Sequence, residues 1–200
     1  MRFDYDKAES SIHLNKWIRS TILWIIQILL VILLAYLFVH FGIKRITMVG
    51  DSMSPTLLAE DSIVVNTLSY KFSEPKRFDV IVFKQEGKEH SYYNIKRIIG
   101  LPGETVEIKE GQIYINGQLL EEKILVDKMD NGGLASEEYT LEEDEYFVLG
   151  DNRNDSVDSR FVSFGTVLKS DIKGKAWIKT DGFSFISTLN QKPKEEKSEE

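Results

Sequence analysis

The feature that most constrains this chain is a long apolar run near its N-terminus. No Asp, Glu, Lys or Arg occurs from Ser20 to Ile43, and the central part, Ile22 to Phe41, is ILWIIQILLVILLAYLFVHF. About 20 apolar residues in a helix cross the roughly 30 Å hydrocarbon core of a bilayer. The alternative, a buried helix of a soluble domain, is rarely this long while apolar on every face. The run therefore predicts a transmembrane anchor over residues 20–43.

The anchor is expected to remain in the mature protein. The run is longer than the apolar core of about 7–15 residues in a cleaved signal peptide, and no small-x-small cleavage site follows it. Aromatic residues suited to the membrane interface lie near both ends, at Trp17, Trp24 and Tyr36. Basic residues precede the run at four positions and follow it closely at two: Arg2, Lys7, Lys16 and Arg19, then Lys44 and Arg45. This bias predicts a cytoplasmic segment 1–19 and an extracytoplasmic remainder.

After the anchor, short runs rich in β-branched residues alternate with turn residues, which is typical of strands. The predicted strands are Ser62–Asn66, Phe78–Phe83, Asn94–Ile99, Thr105–Lys109, Gln112–Ile115, Gln118–Leu120, Tyr146–Leu149 and Ile172–Thr180. The dipeptide Asn116-Gly117 is a strong two-residue hairpin signal. No amphipathic helix is evident after Lys44. The pattern predicts a mainly β domain with antiparallel sheets over residues 44–186.

Two further segments are predicted to contribute nothing to the core of that domain. Asp127–Glu143 contains Asn131-Gly132-Gly133 and is expected to be a long surface loop. Residues 187–200 include QKPKEEKSEE, a charged sequence that is expected to be a disordered tail.

Composition excludes several classes of function. The formal net charge is −7 and the sequence pI is about 5.2, which argues against nucleic acid as a partner. Cysteine is absent, which excludes a disulfide framework and a cysteine nucleophile, and the three histidines are His13, His40 and His90. His90 alone could serve a Ser-His-Asp triad outside the membrane, and its surroundings suit a solvated loop. We therefore expect no metal site, and a hydrolase here would need a serine with a lysine base.

Three polar clusters could supply that chemistry. The first, Met48–Leu57, contains Ser52, and the second, Tyr93–Glu104, contains Lys96 within an apolar strand. The third, Leu149–Arg160, is a dense polar run after a predicted strand. On these residues alone, Ser52 could be an ordinary turn serine and Lys96 could lie on a solvated strand face. The third cluster could be a solvated turn or a hydrogen-bonded scaffold.

Taken in this order and directly after a membrane anchor, the clusters closely resemble bacterial type I signal peptidases (leader peptidases). The matching motifs are GDSMSPTL, IKRIIGLPGE and GDNRNDSVDSR, and the likeness extends from the anchor to Lys173–Ala176. The resemblance implies a mostly β catalytic domain and a serine endopeptidase that removes signal peptides from exported precursors. It implies cleavage after an Ala-x-Ala-like sequence through an acyl-enzyme, without a cofactor. The implied location is the bacterial cell membrane, with membrane lipid, signal peptides and nearby translocation machinery as partners.

The resemblance also implies roles for individual residues. Ser52 would be the nucleophile and Lys96 the general base, with Ser156 hydrogen-bonded to the lysine and with Asp158 and Arg160 bracing the loop. The other motif residues expected to support the site are Met53, Pro55, Arg97, Gly150, Asp151 and Asn152.

One position departs from some members of that family, which carry a serine two residues before the nucleophile. In those members the hydroxyl of that serine helps to bind the oxyanion. In this chain the position is occupied by Gly50. The resemblance then implies that the Ser52 backbone N–H acts together with the Gly50 N–H or a water. Each oxyanion donor is typically worth about 2.7–4 kcal/mol, so a replacement donor is required for normal activity.

A lysine base must be neutral to accept a proton, although lysine has an ordinary pKa of about 10.4. Desolvation favours the neutral form, and Ile95, Ile98 and Met53 are the expected desolvating neighbours of Lys96.

Two functions are alternatives to a signal-peptide-removing protease. A catalytically silent signal-peptidase-like assembly factor for surface structures would not need both Ser52 and Lys96. A self-cleaving serine-lysine repressor would need a soluble chain with a helical DNA-binding half.

Overall fold

The computed structural model describes residues 4–84 and 92–192. The chain divides into two units, Met1–Gly42 and Ile43–Glu200. Helix α1 (Asp4–Gly42) forms the first unit. Its Lys16–Gly42 part has a mean hydropathy of 2.9, and that part is long and apolar enough to cross a membrane. Its apolar side chains are largely exposed, as Trp24 (64%) and Leu29 (59%) illustrate, which fits a helix whose surroundings are lipid.

The second unit is built from antiparallel strands. Within the described residues the strands are β1 (Ile43–Thr47), β2 (Ser62–Asn66), β3 (Val80–Phe83), β4 (Asn94–Gly100), β5 (Thr105–Lys109), β6 (Gln112–Ile115), β7 (Gln118–Leu119), β8 (Tyr139–Thr140), β9 (Glu145–Leu149), β10 (Val167–Leu168), β11 (Ile172–Lys179) and β12 (Ser184–Phe185). The larger sheet has the order β1-β2-β11-β3-β4-β9-β10, with β12 paired to β11. The smaller sheet has the order β7-β6-β5-β8. The prediction of a mainly β, antiparallel domain is confirmed.

Each predicted strand is present, with small differences at the ends. The largest difference is at β3, which begins at Val80 because Phe78 has a φ of +70° and cannot continue a strand. The predicted hairpin is confirmed, since Asn116 (φ 50°) and Gly117 (φ 77°) have the two positive φ angles of a type I′ turn. Helix α2 (Ser69–Phe72) is a single turn after β2.

The prediction of a surface loop over Asp127–Glu143 is wrong in part. The segment contains a 3₁₀ turn (Gly133–Ser136) and strand β8. Met129, Ala135 and Leu141 are buried in the apolar cluster that β5 and β6 help to form. These apolar residues are too widely spaced to show a helix or strand period, so the sequence pattern did not indicate their burial.

The beginning of the predicted tail, up to Lys192, lies within the described residues. A 3₁₀ turn covers Ile186–Thr188, and the Leu125 N–H donates to the Asn190 carbonyl at 2.9 Å. Lys192 N–H donates to the Lys123 carbonyl at 2.8 Å, so the chain pairs with the β-domain up to Lys192. Residues 193–200 and His90 lie outside the described residues.

Strands β3, β4 and β9 form the centre of the larger sheet and are buried on both faces. Ile95 packs with Met53 in one apolar cluster, whereas Ile98 packs with Ile81 and Val148 in another. Ile95 and Ile98 therefore lie on opposite sides of β4. A polar side chain on β4 has no direct access to bulk water and needs partners inside the domain.

Candidate active site

Ser52 lies on a turn that is fastened at both ends by buried apolar residues. Met48, Met53 and Leu57 are 3%, 0% and 0% exposed and share one apolar cluster. Between them Gly50 is exposed with a φ of +73°, and a Cβ there would meet nothing within 4 Å. The backbone conformation, not the available space, therefore favours glycine at this position. The result is a partly exposed Ser52 on a fixed base.

Lys96 lies in the middle of β4, opposite Ile81 of β3. It is 5% exposed, so the alternative of a solvated strand face is wrong. Its Nζ donates a hydrogen bond to Ser156 Oγ at 3.1 Å. Burial lowers the pKa of Lys96 to about 8, while the nearby carboxylates of Asp158 and Asp151 oppose that shift and Arg160 adds to it. Desolvation is the largest of these causes, and it lowers the pKa because removal of water disfavours the charged ammonium form.

The third cluster is a hydrogen-bonded scaffold, not a solvated turn. Asp158 is completely buried and accepts hydrogen bonds from Arg160 Nε at 2.8 Å and Arg160 Nη2 at 2.9 Å. The same carboxylate accepts the Gly150 N–H at 3.0 Å. Arg160 Nη2 also reaches the Ser156 carbonyl at 3.4 Å. The Asp158–Arg160 pair thus closes the loop that carries Ser156.

Gly150 is the point at which the first and third clusters meet. A Cβ on this glycine would lie 2.2 Å from Ser156 Oγ and 2.3 Å from the Ser52 carbonyl oxygen. No real side chain fits at such distances, so the close approach requires glycine. Because Lys96 Nζ donates to the same Ser156 Oγ, this contact brings the three clusters to one place.

The two residues after Gly150 also connect the three clusters: Asp151 contacts Arg97 and Thr56, and Asn152 contacts the Ser52 turn. The buried Asp151 carboxylate accepts both Arg97 Nε (2.7 Å) and Arg97 Nη2 (2.6 Å), and Thr56 Oγ1 donates to it at 2.5 Å. Such two-pronged, charge-assisted contacts are strong and directional. Asn152 holds the serine turn, since its N–H donates to the Ser52 carbonyl at 3.1 Å and its Nδ2 to the Asp51 carbonyl at 3.2 Å.

The geometry around Ser52 leaves groups available for a substrate. Among the described residues, no hydrogen bond uses the Ser52 N–H, and none joins Ser52 Oγ to Lys96 Nζ. Bonds between a nucleophile and its base often tighten only in the complex with substrate. Pro55, which follows a cis peptide bond, is exposed on the same turn. In the part of the chain that the structure describes, no group of three or more His, Cys, Asp or Glu could hold a metal ion.

Two partners of the site could not be identified from the sequence. Thr56 was not singled out, although it lies within the first motif and its hydroxyl contacts Asp151. Arg153 is almost fully buried and pairs with Glu122, which lies outside all three clusters. The third cluster contains Arg153, but no local pattern in the sequence points to Glu122 as its partner.

The chain is similar to several known proteins. Residues 21–180 match the family model "Signal peptidase, peptidase S26". A "Signal peptidase I P" of Bacillus subtilis subsp. natto is 35% identical over 182 residues, which cover 87% of this chain and 94% of that protein. A "Signal peptidase I" of Leptolyngbya laminosa is 41% identical over 150 residues, covering 72% of this chain and 71% of its own. A solved signal peptidase I structure from Enterococcus faecalis V583 is 37% identical, covers 52% of this chain and 97% of its own, and superposes with a TM-score of 0.41.

The family match spans most of the chain and includes the serine turn, the lysine strand and the polar loop. The Bacillus relative is matched along almost its whole length. This chain belongs to the signal peptidase family, peptidase S26.

Proposed function

We propose that this chain is a membrane-anchored serine endopeptidase that removes signal peptides from exported precursors, with Ser52 as nucleophile and Lys96 as general base. The observation that carries the proposal is the environment of Lys96. The lysine is buried on β4, its pKa is lowered to about 8, and its Nζ contacts Ser156 Oγ beside the Ser52 backbone. A buried lysine with a lowered pKa is suited to accept a proton at neutral pH.

The lowered pKa has a large effect on the supply of base. At pH 7 roughly one tenth of a lysine with a pKa near 8 is neutral, whereas only about 4 in 10,000 are neutral at the ordinary pKa of about 10.4. The shift therefore raises the fraction of active base by roughly 200-fold. Ser156 would hold Nζ in one orientation, and Asp158 with Arg160 would hold Ser156.

In the proposed reaction, neutral Lys96 takes the proton from Ser52 Oγ as that oxygen attacks the scissile carbonyl carbon. The lysine then gives the proton to the leaving amine, and an acyl-enzyme ester on Ser52 remains. Lys96 next removes a proton from a water that attacks the ester and gives that proton to Ser52 Oγ as the ester bond breaks. This releases the new C-terminal carboxyl group and restores both Ser52 and neutral Lys96. Positioned general-base help of this kind contributes roughly 10²- to 10⁴-fold.

The negative charge that develops on the carbonyl oxygen needs hydrogen-bond donors. The Ser52 N–H is the first candidate because no acceptor in the described structure occupies it. The Gly50 N–H is the second candidate, on the exposed and open side of the same turn. Each donor of this kind typically contributes about 2.7–4 kcal/mol to transition-state stabilisation.

The family and the position of the serine in the chain support the proposed substrate and topology. Ser52 follows the apolar helix, which ends at Gly42, after only one short strand and a turn. We propose a cytoplasmic segment 1–19, an anchor over 20–43, an extracytoplasmic catalytic domain over 44–186 and a charged tail over 187–200. The catalytic serine would then work close to the membrane surface, near the translocation machinery, on an extended chain with small side chains before the cleavage site.

The test is turnover of a labelled signal-peptide substrate by the full chain in lipid or detergent. Wild type is expected to cut after the Ala-x-Ala-like sequence, whereas Ser52→Ala and Lys96→Met are expected to remain folded and inactive. Near-normal cleavage by either variant would contradict the dyad. A folded wild type without any cleavage would favour the alternative of a catalytically silent assembly factor.

A further inference from the structure

An ion pair between Arg153 of the third motif and Glu122, which lies outside all three motifs, fastens the catalytic loop. The Arg153 side chain is 1% exposed and that of Glu122 is 13% exposed. Both terminal nitrogens of Arg153 donate to the two carboxylate oxygens of Glu122, with Nη1 to Oε2 at 2.8 Å. Within the described residues, no other carboxylate contacts Arg153. A buried guanidinium that lost this partner would be left without a counter-ion, which is strongly unfavourable.

Arg153 connects Glu122 to the proposed catalytic groups. Its Nε donates to the Gly150 carbonyl at 3.2 Å, and its own carbonyl accepts Arg160 Nη2 at 2.5 Å. Gly150 is the residue that lies directly against Ser156 Oγ and the Ser52 carbonyl. Glu122 is therefore linked through one side chain to the backbone on which the positions of Ser156 and Ser52 depend.

The carboxylate is held in place independently of the loop. Before it, the Leu120 N–H donates to the Ile113 carbonyl at 2.8 Å, which ties the chain to β6. After it, Ile124 is 5% exposed and forms a β-bridge with Gln191. With fixed points on both sides, Glu122 presents its carboxylate to Arg153 from a rigid base.

Packing alone does not fix the loop at this point. A pocket of about 140 Å³ lies beside it, and its lining includes Ser156, Arg153, Arg160 and Phe161. A loop next to open space can move into that space when a tether is lost, whereas a close-packed loop cannot. The ion pair to Glu122 is a tether of this kind.

We propose that Glu122 is a positioning residue for catalysis, acting through Arg153 and Gly150 on the Ser156 hydroxyl that orients Lys96. The inference rests on the proposed function of Ser52 and Lys96. Loss of the tether shifts Ser156 relative to Lys96, whereas the Ser52 turn stays in place because the buried Met48, Met53 and Leu57 also hold it. The effect therefore falls on kcat, with little change in KM.

The experiment measures kcat and KM of the full chain for Glu122→Gln at a temperature at which circular dichroism shows a fully folded protein. Because a misplacement of about 1 Å costs up to about 10²-fold, we expect kcat to fall by roughly 10- to 100-fold and KM to change less than about twofold. The matched control is Glu121→Gln, which removes the charge of the exposed neighbouring residue and is expected to leave both constants unchanged.

A double-mutant cycle tests the route of the effect. In a Ser156→Ala background, where the oriented hydroxyl is already absent, Glu122→Gln is expected to lower kcat by less than about threefold. An equal loss of kcat in both backgrounds, or a folded Glu122→Gln with wild-type kcat, would overturn the proposal. If Glu122→Gln does not fold, Glu122→Asp replaces it, and wild-type kcat for that shortened carboxylate would overturn the proposal equally. Activity in Ser52→Ala would instead refute the underlying function, so the two failures are distinguishable.

Discussion

The two halves of the proposed dyad lie in opposite environments. The turn of Ser52 is partly exposed, carries the open Gly50, and is held by the buried Met53 and by two hydrogen bonds from Asn152. Lys96 is buried on a central strand and contacts a loop closed by the fully buried Asp158–Arg160 pair. The nucleophile is thus accessible to an extended substrate chain, whereas the base is shielded from bulk water.

This difference has an energetic consequence. Around Lys96 the same contacts serve both folding and catalysis, because buried charges that lose a partner destabilise the whole domain. Around Ser52 a polar substitution touches few other groups. Substitutions on the lysine side should therefore reduce stability and activity together, while those on the serine side should reduce activity alone.

The largest combined effect is expected for Asp158→Asn. The substitution leaves Arg160 buried without a full counter-charge, so we expect the free energy of unfolding to fall by about 3–5 kcal/mol together with a loss of activity. Because the Asp158 carboxylate raises the pKa of Lys96, its removal should also lower that pKa further. Chemical unfolding in detergent measures the stability change. Asp155→Asn, exposed on the same loop, is the control, and equal stability of the two variants would contradict the comparison.

Gly150→Ala tests the contact between the two halves. Its Cβ would lie within 2.3 Å of Ser156 Oγ and of the Ser52 carbonyl oxygen, so one of the two segments must move. We expect kcat/KM to fall by about 10²-fold or more in steady-state assays. In Gly103→Ala the new Cβ meets nothing, and the strain of a φ of +74° should cost stability only. Wild-type activity in Gly150→Ala would show that the close approach is not needed.

The smallest effect is expected on the serine side, for Asn152→Ala. The variant loses only the hydrogen bond from Nδ2 to the Asp51 carbonyl, because the bond from the Asn152 N–H to Ser52 is made by the backbone. A single such bond is worth about 1 kcal/mol, so a loss of kcat/KM of roughly five-fold with little change in the melting temperature is expected. A destabilisation as large as that of Asp158→Asn would remove the distinction between the two halves.

Local sequence patterns predicted much of the fold, because β-branched runs and Asn116-Gly117 act over a few residues. The two-residue strands β8, β10 and β12 were missed, since strands so short carry no period and form only against a partner. Strand β1 was missed because it follows the apolar helix without a turn signal.

The site was predictable to the extent that its motifs are contiguous. Ser52, Lys96 and Ser156 were named from the resemblance of these motifs to a known family, and the structure brings their segments together at Gly150. Glu122 was not predictable, because its pairing with Arg153 spans 31 residues and depends on the path of the chain after β7. Long-range ion pairs are set by tertiary structure. The sequence around a charged residue in a polar stretch does not show whether that residue forms a buried ion pair.

The most direct test of the account is the pH dependence of kcat/KM for wild type. Lys96 must lose its proton to act, so activity should rise with pH and level off above a pKa of about 8, the value to which burial lowers the lysine. On the acid side, a plot of log(kcat/KM) against pH should have a slope of one, since a single group is titrated. An acid limb near the ordinary lysine pKa of about 10.4, or a rate independent of pH from about 6 to 9, would contradict the claim that a desolvated Lys96 is the base.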